Sequence, residues 1–148
     1  MEGLASKDGE AKKVYFSAYL DKKGYVEDKL KFPKVLVNIG EAFDGPTGVF
    51  KAPFKGVYSF SFSGQQGTSV ESGSYIEVFV KRNGQEEFRI RDDANTSGQD
   101  QIWQNINSSF SLELEENDTV YLELNANDKL FANGSERLTF MGQLINAA

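Results

Sequence analysis

Apolar and polar residues alternate along most of this chain with the period of two that is typical of β-strands. The alternation is clearest where Tyr58, Phe60 and Phe62 are separated by Ser59 and Ser61. Successive side chains of a strand point to opposite faces of its sheet, so the three rings are predicted to line a core. No window shows the sustained spacing of three and four that marks an amphipathic helix, and we expect an all-β domain.

Two turn signals predict hairpins. Asn83-Gly84 separates the alternating residues 76–80 from residues 88–90. Asn-Gly between such runs is the strongest short hairpin signal, so these strands are expected to pair antiparallel. Glu116-Asn117-Asp118 stands in the same way between two further alternating runs and predicts a second hairpin, and other strands are expected at residues 14–20, 110–114, 120–124 and 138–145 and at Lys34–Ile39.

Length and composition favour one folded domain. The 148 residues include 39% hydrophobic residues and twelve Phe, enough for a single core without metals or disulfides. Residues 1–13 are polar and charged and predict a flexible tail before a domain at residues 14–146. No stretch approaches the length of an apolar membrane-spanning helix, and we expect no membrane span.

The residue types that are missing exclude most catalytic chemistry. The chain has no His and no Cys, which leaves no Ser/His/Asp triad, catalytic thiol or ordinary zinc site. Glu113 and Glu115 share a strand face, as paired carboxylates of a glycosidase would, but that face is expected to be solvent-exposed. A net charge of −6 also argues against nucleic acid, which needs a basic stripe. We expect no enzyme.

One stretch carries a family resemblance. Residues 32–62 read FPKVLVNIGEAFDGPTGVFKAPFKGVYSFSF. The aromatic residues, Asn38, the Phe43-Asp44 pair and the closing Gly56-x-Tyr58-x-Phe60 fall at the spacing of the C1q globular-head family. Residues 81–84, the turn at 116–118 and the final strand extend the resemblance to residues 14–145. The chain resembles a stand-alone head, because no run has the glycine at every third position that a collagen stalk requires.

The resemblance implies a ten-stranded jelly-roll sandwich of two Greek-key sheets, related to the tumour necrosis factor (TNF) fold. It also implies assembly as a homotrimer. Aromatic residues on strand faces that the core does not use are candidates for the contact between subunits, and Phe79 and Tyr121 are the residues that we predict there.

The loop before the strand that begins near Asn105 is the candidate site for ligands. Some relatives hold calcium in this loop, and calcium prefers several acidic oxygens, so Asp92, Asp93 and Asp100 are the candidate metal ligands. Trp103 is the only Trp and belongs to a polar loop that reads Gln101-Ile102-Trp103-Gln104, where its ring can stack on a sugar or anchor a partner. Gln101 and Gln104 complete the predicted ligand-binding set. The alternatives are a solvated acidic loop and a Trp that packs against the sheet.

The function that we expect is that of a secreted pattern-recognition protein of innate immunity. Three identical heads would bind microbial polysaccharide or lipopolysaccharide in a lectin-like manner, with avidity compensating for weak single sites. The alternative is a signalling ligand of adiponectin-like or cerebellin-like type that binds a cell-surface receptor protein. Four Asn-x-Ser/Thr sequons, at Asn95, Asn107, Asn117 and Asn133, agree with an extracellular location.

Overall fold

A computed structural model gives the architecture of the chain. It describes residues 12–21, 24–26, 28–66, 75–93, 104–125, 130–132 and 138–148. The strands are β1 (Tyr15–Leu20), β2 (Gly24–Val26), β3 (Lys34–Ile39), β4 (Phe43–Asp44), β5 (Val49–Lys51), β6 (Gly56–Gln66), β7 (Tyr75–Arg82), β8 (Gln85–Asp93), β9 (Gln104–Leu114), β10 (Thr119–Leu124), β11 (Leu130–Ala132) and β12 (Leu138–Ala147).

The strands form two antiparallel sheets. One has seven strands in the order β2-β11-β6-β12-β1-β3, with β9 paired to the other side of β6. The other has five strands in the order β4-β5-β10-β7-β8. The predicted all-β jelly-roll sandwich is confirmed. The strand count exceeds ten because it includes four very short strands of two or three residues, which are β2, β4, β5 and β11. The described residues contain no helix.

Aromatic rings fill the space between the two sheets. Phe16 stacks on Phe43 with ring centroids 4.3 Å apart and makes a T-shaped contact with Phe140, with centroids 5.1 Å apart. Phe60 continues the cluster toward β9, where it stacks on Phe110 at 5.5 Å. Aromatic pairs of this kind contribute about 0.5–1.5 kcal/mol each beyond the area that they bury. The predicted inward direction of Tyr58, Phe60 and Phe62 is confirmed, since all three are buried.

A glycine makes room for two of these rings. Gly142 lies on the inward side of β12, and a Cβ placed on it would be 2.6 Å from Cε1 of Phe16 and 2.7 Å from Cδ1 of Phe60. Carbon atoms pack at about 3.5–4.0 Å, so the rings occupy the space that any larger residue would need. The core therefore depends on the absence of a side chain at this position.

The first predicted hairpin is confirmed and the second is wrong. β7 and β8 pair antiparallel around Asn83 and Gly84, both of which have positive φ. β9 and β10 do not pair with each other, because β9 adds to β6 in one sheet while β10 lies between β5 and β7 in the other. The turn between β9 and β10 therefore carries the chain from one sheet to the other. Both strands keep their apolar residues inward, which is the same alternation that a hairpin would have, so the pattern alone did not distinguish the two arrangements.

Side-chain hydrogen bonds join these two turns at one end of the sandwich. The side-chain Nδ2 of Asn83 donates to Oδ1 of Asp118 at 2.9 Å, and its Oδ1 accepts from the backbone N–H of Thr119 at 2.9 Å. Oδ2 of Asp118 in turn accepts from the backbone N–H of Glu115 at 2.9 Å. We call Asn83, Asp118 and Thr119 the base clasp, because they hold the β7–β8 turn against the turn that crosses between the sheets.

Candidate self-association surface

Small hydroxyl residues cover the outer face of the seven-stranded sheet. The same alternation that directs the rings of β6 into the core directs its serines outward, and the cross-strand register places residues of β9 and β12 beside them. Ser61, for example, lies between Ser109 and Met141, with its Oγ 2.9 Å from Oγ of Ser109. We call this surface the hydroxyl face; it consists of Ser59, Ser61, Ser63, Asn107, Ser109, Ser111, Thr139, Met141 and Gln143.

The hydroxyl face is shallow and partly apolar. A depression of about 300 Å³ is bounded by Ser61, Ser63, Ser109 and Met141, and a smaller one of about 60 Å³ lies between Tyr15 and the same methionine. Met141 is 38% exposed. The short side chains of this face leave the sheet backbone close to the surface at both depressions.

Two phenylalanines mark an open edge of the sandwich next to this face. Phe88 on β8 and Phe110 on β9 have ring centroids 5.3 Å apart and bridge the two sheets. Among the described strands, β8 pairs only with β7 and β9 only with β6, so each is the last strand of its sheet. Phe88 is 39% exposed and Phe110 is half-buried. The aromatic core thus reaches the surface at this edge, where an exposed strand normally needs protection.

Phe79 and Tyr121 lie on the opposite side of the sandwich, on the outer face of the five-stranded sheet. Both are half-buried beneath cations of their own chain. Cζ of Arg89 is 5.1 Å from the Phe79 ring centroid, and Nζ of Lys29 is 4.7 Å from that of Tyr121. Such contacts are favourable without any partner. The predicted subunit contact through these two rings stays a prediction.

Glu77 is a buried carboxylate on the same outer face. It is 5% exposed, and its Oε2 lies 3.4 Å from Nη1 of Arg89 while its Oε1 accepts from Nδ2 of Asn125 at 3.1 Å. Arg89 also binds Glu86, and this hydrogen bond lowers the pKa of Glu86 and raises the pKa of Arg89. Arg89 thus lies between two carboxylates, and this group of residues is a structural ion-pair network.

The side chains of all six predicted ligand and metal residues lie outside the part that the structure describes. The backbones of Asp92 and Asp93 end β8, and that of Gln104 begins β9. Asp100, Gln101 and Trp103 fall in the stretch between those strands, outside the described residues. Among the side chains that are described, no group of three His, Cys, Asp or Glu could hold a metal ion. The predicted calcium site and ligand contacts stay predictions.

The two glutamates that a glycosidase would need, Glu113 and Glu115, make different contacts in the structure. Glu113 is exposed on the outward side of β9, and its backbone carbonyl accepts from Nη1 of Arg82 at 2.8 Å. Glu115 follows the end of β9, and its carboxylate lies 3.9 Å from Nζ of Lys55. Exposed pairs of this kind stabilise a fold weakly.

The hydroxyl face is not among the sites that the sequence predicts. Alternation identifies the serines of β6 only as the polar side of a strand. The signal that identifies the face is a second run, in β9, with Ser109 and Ser111 at alternate positions, which pair with Ser61 and Ser59. Two neighbouring strands that both carry small hydroxyls outward form an uncharged surface without long side chains.

Strand order and core together define a jelly-roll domain of the kind found in C1q and TNF proteins. The chain belongs to the C1q domain family, whose profile matches residues 15–145. Among curated relatives, protein HP-25 homolog 1 of Bos taurus is 33% identical over 115 residues, which are 78% of this chain and 50% of that protein. Complement C1q tumor necrosis factor-related protein 7 of Mus musculus is 34% identical over 108 residues, 71% of this chain and 34% of that protein.

Solved structures confirm the fold at lower identity. The globular domain of zebrafish complement 1qA protein superposes with a TM-score of 0.71 at 19% identity and covers 93% of this chain and 100% of that one. The Eiger TNF of S. frugiperda gives a TM-score of 0.68 at 11% identity, with coverages of 93% and 96%. This chain spans half or less of the length of the curated relatives described above. No helix long and apolar enough to cross a membrane occurs within the part of the chain that the structure describes.

Proposed function

We propose that this chain is a secreted, homotrimeric recognition module of innate immunity that binds microbial polysaccharide and lipopolysaccharide. Domains of the C1q and TNF type are generally non-enzymatic and typically self-associate as trimers, and C1q-domain homologues are typically secreted. One observation supports the assembly part of the proposal. Each subunit has both an open aromatic edge and a hydroxyl face with shallow depressions.

The two surfaces suit each other but lie on different parts of the subunit. The edge offers two bulky rings, and the face offers depressions between short side chains. A contact between unlike surfaces of identical subunits is heterologous, so repeating it generates a ring when the rotation closes. In the proposed trimer, Phe88 and Phe110 of each subunit pack against the hydroxyl face of the next.

Assembly is tested by replacing Ser61 with Arg at the centre of the hydroxyl face. The long charged side chain fills the depression, and we expect a folded monomer in sedimentation equilibrium. Val49→Arg is the matched control, because Val49 is a half-buried strand residue of the five-stranded sheet, and this variant should stay trimeric. A trimeric Ser61→Arg protein would refute this interface. Phe79→Ala and Tyr121→Ala in the same assay test whether the outer face of the five-stranded sheet contributes instead.

Ligand binding is tested with immobilised bacterial polysaccharides and lipopolysaccharide. Three linked sites raise the apparent affinity for a repetitive surface, so we expect the monomeric Ser61→Arg variant to bind about 100-fold more weakly than the trimer. Trp103→Ala, Gln101→Ala and Gln104→Ala should each weaken binding without changing the sedimentation mass. No binding of the wild-type trimer to any glycan or lipopolysaccharide would exclude this function.

A signalling ligand that binds a receptor protein is the second candidate. The relative named as a C1q tumor necrosis factor-related protein and the similarity to an Eiger TNF structure support it. Binding of the wild-type trimer to cell surfaces that persists after enzymatic removal of their glycans would favour this candidate. Binding that disappears with the glycans would favour pattern recognition.

A further inference from the structure

We propose that Asn83, in the turn between β7 and β8, deamidates slowly without an enzyme and that the base clasp protects it from this reaction. Once Asn83 has deamidated, the clasp cannot form again. Asparagine followed by glycine is the reactive combination, because glycine has no Cβ to shield its backbone nitrogen. A Cβ built on Gly84 meets no atom within 4 Å, so the space beside the Cα of this glycine is open. The inference does not depend on the proposed recognition function.

The reaction needs only water. The backbone nitrogen of Gly84 attacks Cγ of Asn83, a new C–N bond forms, and the side-chain nitrogen leaves as ammonia with the proton that Gly84 gives up. Water then opens the five-membered imide at one of its two carbonyl carbons. Opening at Cγ leaves aspartate, and opening at the backbone carbonyl leaves isoaspartate. No oxidant, reductant or enzyme takes part.

The clasp opposes the first step because it holds both ends of the Asn83 amide. Nδ2 donates to Asp118, while Oδ1 accepts from the backbone N–H of Thr119 at 2.9 Å and from its Oγ1 at 3.3 Å. The backbone N–H of Asn83 donates to the carbonyl of Thr119 at 3.0 Å. Cγ must turn toward Gly84 for the attack, and it cannot do so while these hydrogen bonds persist. Deamidation therefore requires prior opening of the clasp.

The product cannot restore the clasp. With aspartate at this position, an anionic oxygen replaces the Nδ2 donor that faces Oδ1 of Asp118 at 2.9 Å. Two carboxylates at that distance repel each other, and neither has a proton to share at neutral pH. Isoaspartate additionally lengthens the backbone within a tight turn. Each deamidated chain thus keeps a loosened β7–β8 turn, so the extent of deamidation records how long the clasp has been open.

The rate is measured by peptide mapping with mass spectrometry after incubation of the full chain in ¹⁸O-labelled water. Asp118→Ala removes the acceptor of Nδ2, and we expect the rate at Asn83 to rise about tenfold, as loss of a hydrogen bond to a charged group predicts. Asp44→Ala is the control, because Asp44 holds Thr47 by similar bonds in another turn, and it should leave the rate unchanged. A synthetic peptide of residues 79–88 gives the rate without the clasp. The protective role of the clasp would be refuted if Asn83 deamidated as fast in the wild-type protein as in the peptide. It would also be refuted if Asp118→Ala deamidated as slowly as wild type.

The effect of the product is tested by two further variants. Asn83→Asp should lower the melting temperature at neutral pH because of the opposed carboxylates. Combining it with Asp118→Asn exchanges donor and acceptor: the new amide donates to Asp at 83, and its oxygen still accepts from Glu115. The double variant should recover most of the lost melting temperature. Failure of the exchange to rescue, or an unchanged melting temperature in the single variant, would contradict the proposed incompatibility.

Discussion

Replacing Gly142 with Ala tests how closely the aromatic core approaches the backbone of β12. The added Cβ would lie 2.6 Å from Cε1 of Phe16 and 2.7 Å from Cδ1 of Phe60. Each ring would have to move by about 1 Å to reach ordinary contact distance. Phe43 and Phe140 both pack against the Phe16 ring, so this movement disturbs its neighbours in the cluster.

The expected loss of stability follows from two opposing effects. Overpacking a dense core by one methyl group costs about 1–3 kcal/mol. Replacing glycine by alanine restricts the unfolded chain and returns about 0.4–1 kcal/mol. The net destabilisation is about 1–2 kcal/mol, which lowers the melting temperature of a domain of this size by about 3–8 °C.

A double-mutant cycle identifies the cause. The free energy of unfolding is measured by urea denaturation for wild type, Gly142→Ala, Phe16→Leu and the double variant. Phe16→Leu removes part of the ring that meets the new methyl group, so Gly142→Ala should be less destabilising in that background. Additive effects, or a stabilising Gly142→Ala, would refute the close packing described here.

Three further predictions concern ionisable groups. Burial raises the pKa of Tyr58, whose hydroxyl donates to the carbonyl of Phe54 at 2.6 Å. The free energy of unfolding should therefore fall as pH rises above the unfolded pKa of about 10. Tyr58→Phe should abolish that dependence and destabilise the fold by about 1 kcal/mol. The hydrogen bond from Asn83 lowers the pKa of Asp118, so its contribution should be lost as pH falls below about 4, and Asp118→Ala should flatten the acid limb of a pH–stability curve. Calcium at a hundred times its dissociation constant should stabilise the native state by about 2.7 kcal/mol against chelator; an unchanged melting temperature would remove the proposed site, and Asp100→Ala should lose any increase.

Local pattern predicted the directions of side chains well. Alternation identified the inward rings of β6, and Asn83-Gly84 identified the β7–β8 turn, because both features depend on residues close together in the chain. The pairing partner of a strand does not depend on nearby residues alone. β9 and β10 follow each other in the sequence but join different sheets. Because both sheets bury their apolar residues against the same core, the two strands alternate as they would in a hairpin.

The candidate surface was harder to predict for the same reason. Ser61 and Ser109 meet across 48 residues of sequence, and the Phe88–Phe110 edge joins strands from separate sheets. No periodicity in either segment indicates these contacts. Phe79 and Tyr121 were recognisable as aromatic residues outside the core, but the cations that cover them come partly from Lys29, a residue distant in the chain.

Sedimentation equilibrium of the purified wild-type chain measures whether three subunits assemble through the aromatic edge and the hydroxyl face. We expect a particle of three times the chain mass of 16.5 kDa at micromolar concentration. Ser61→Arg should reduce it to a single chain mass while the circular dichroism spectrum stays that of a β-protein. A wild-type protein that sediments as a monomer under these conditions would contradict this assembly.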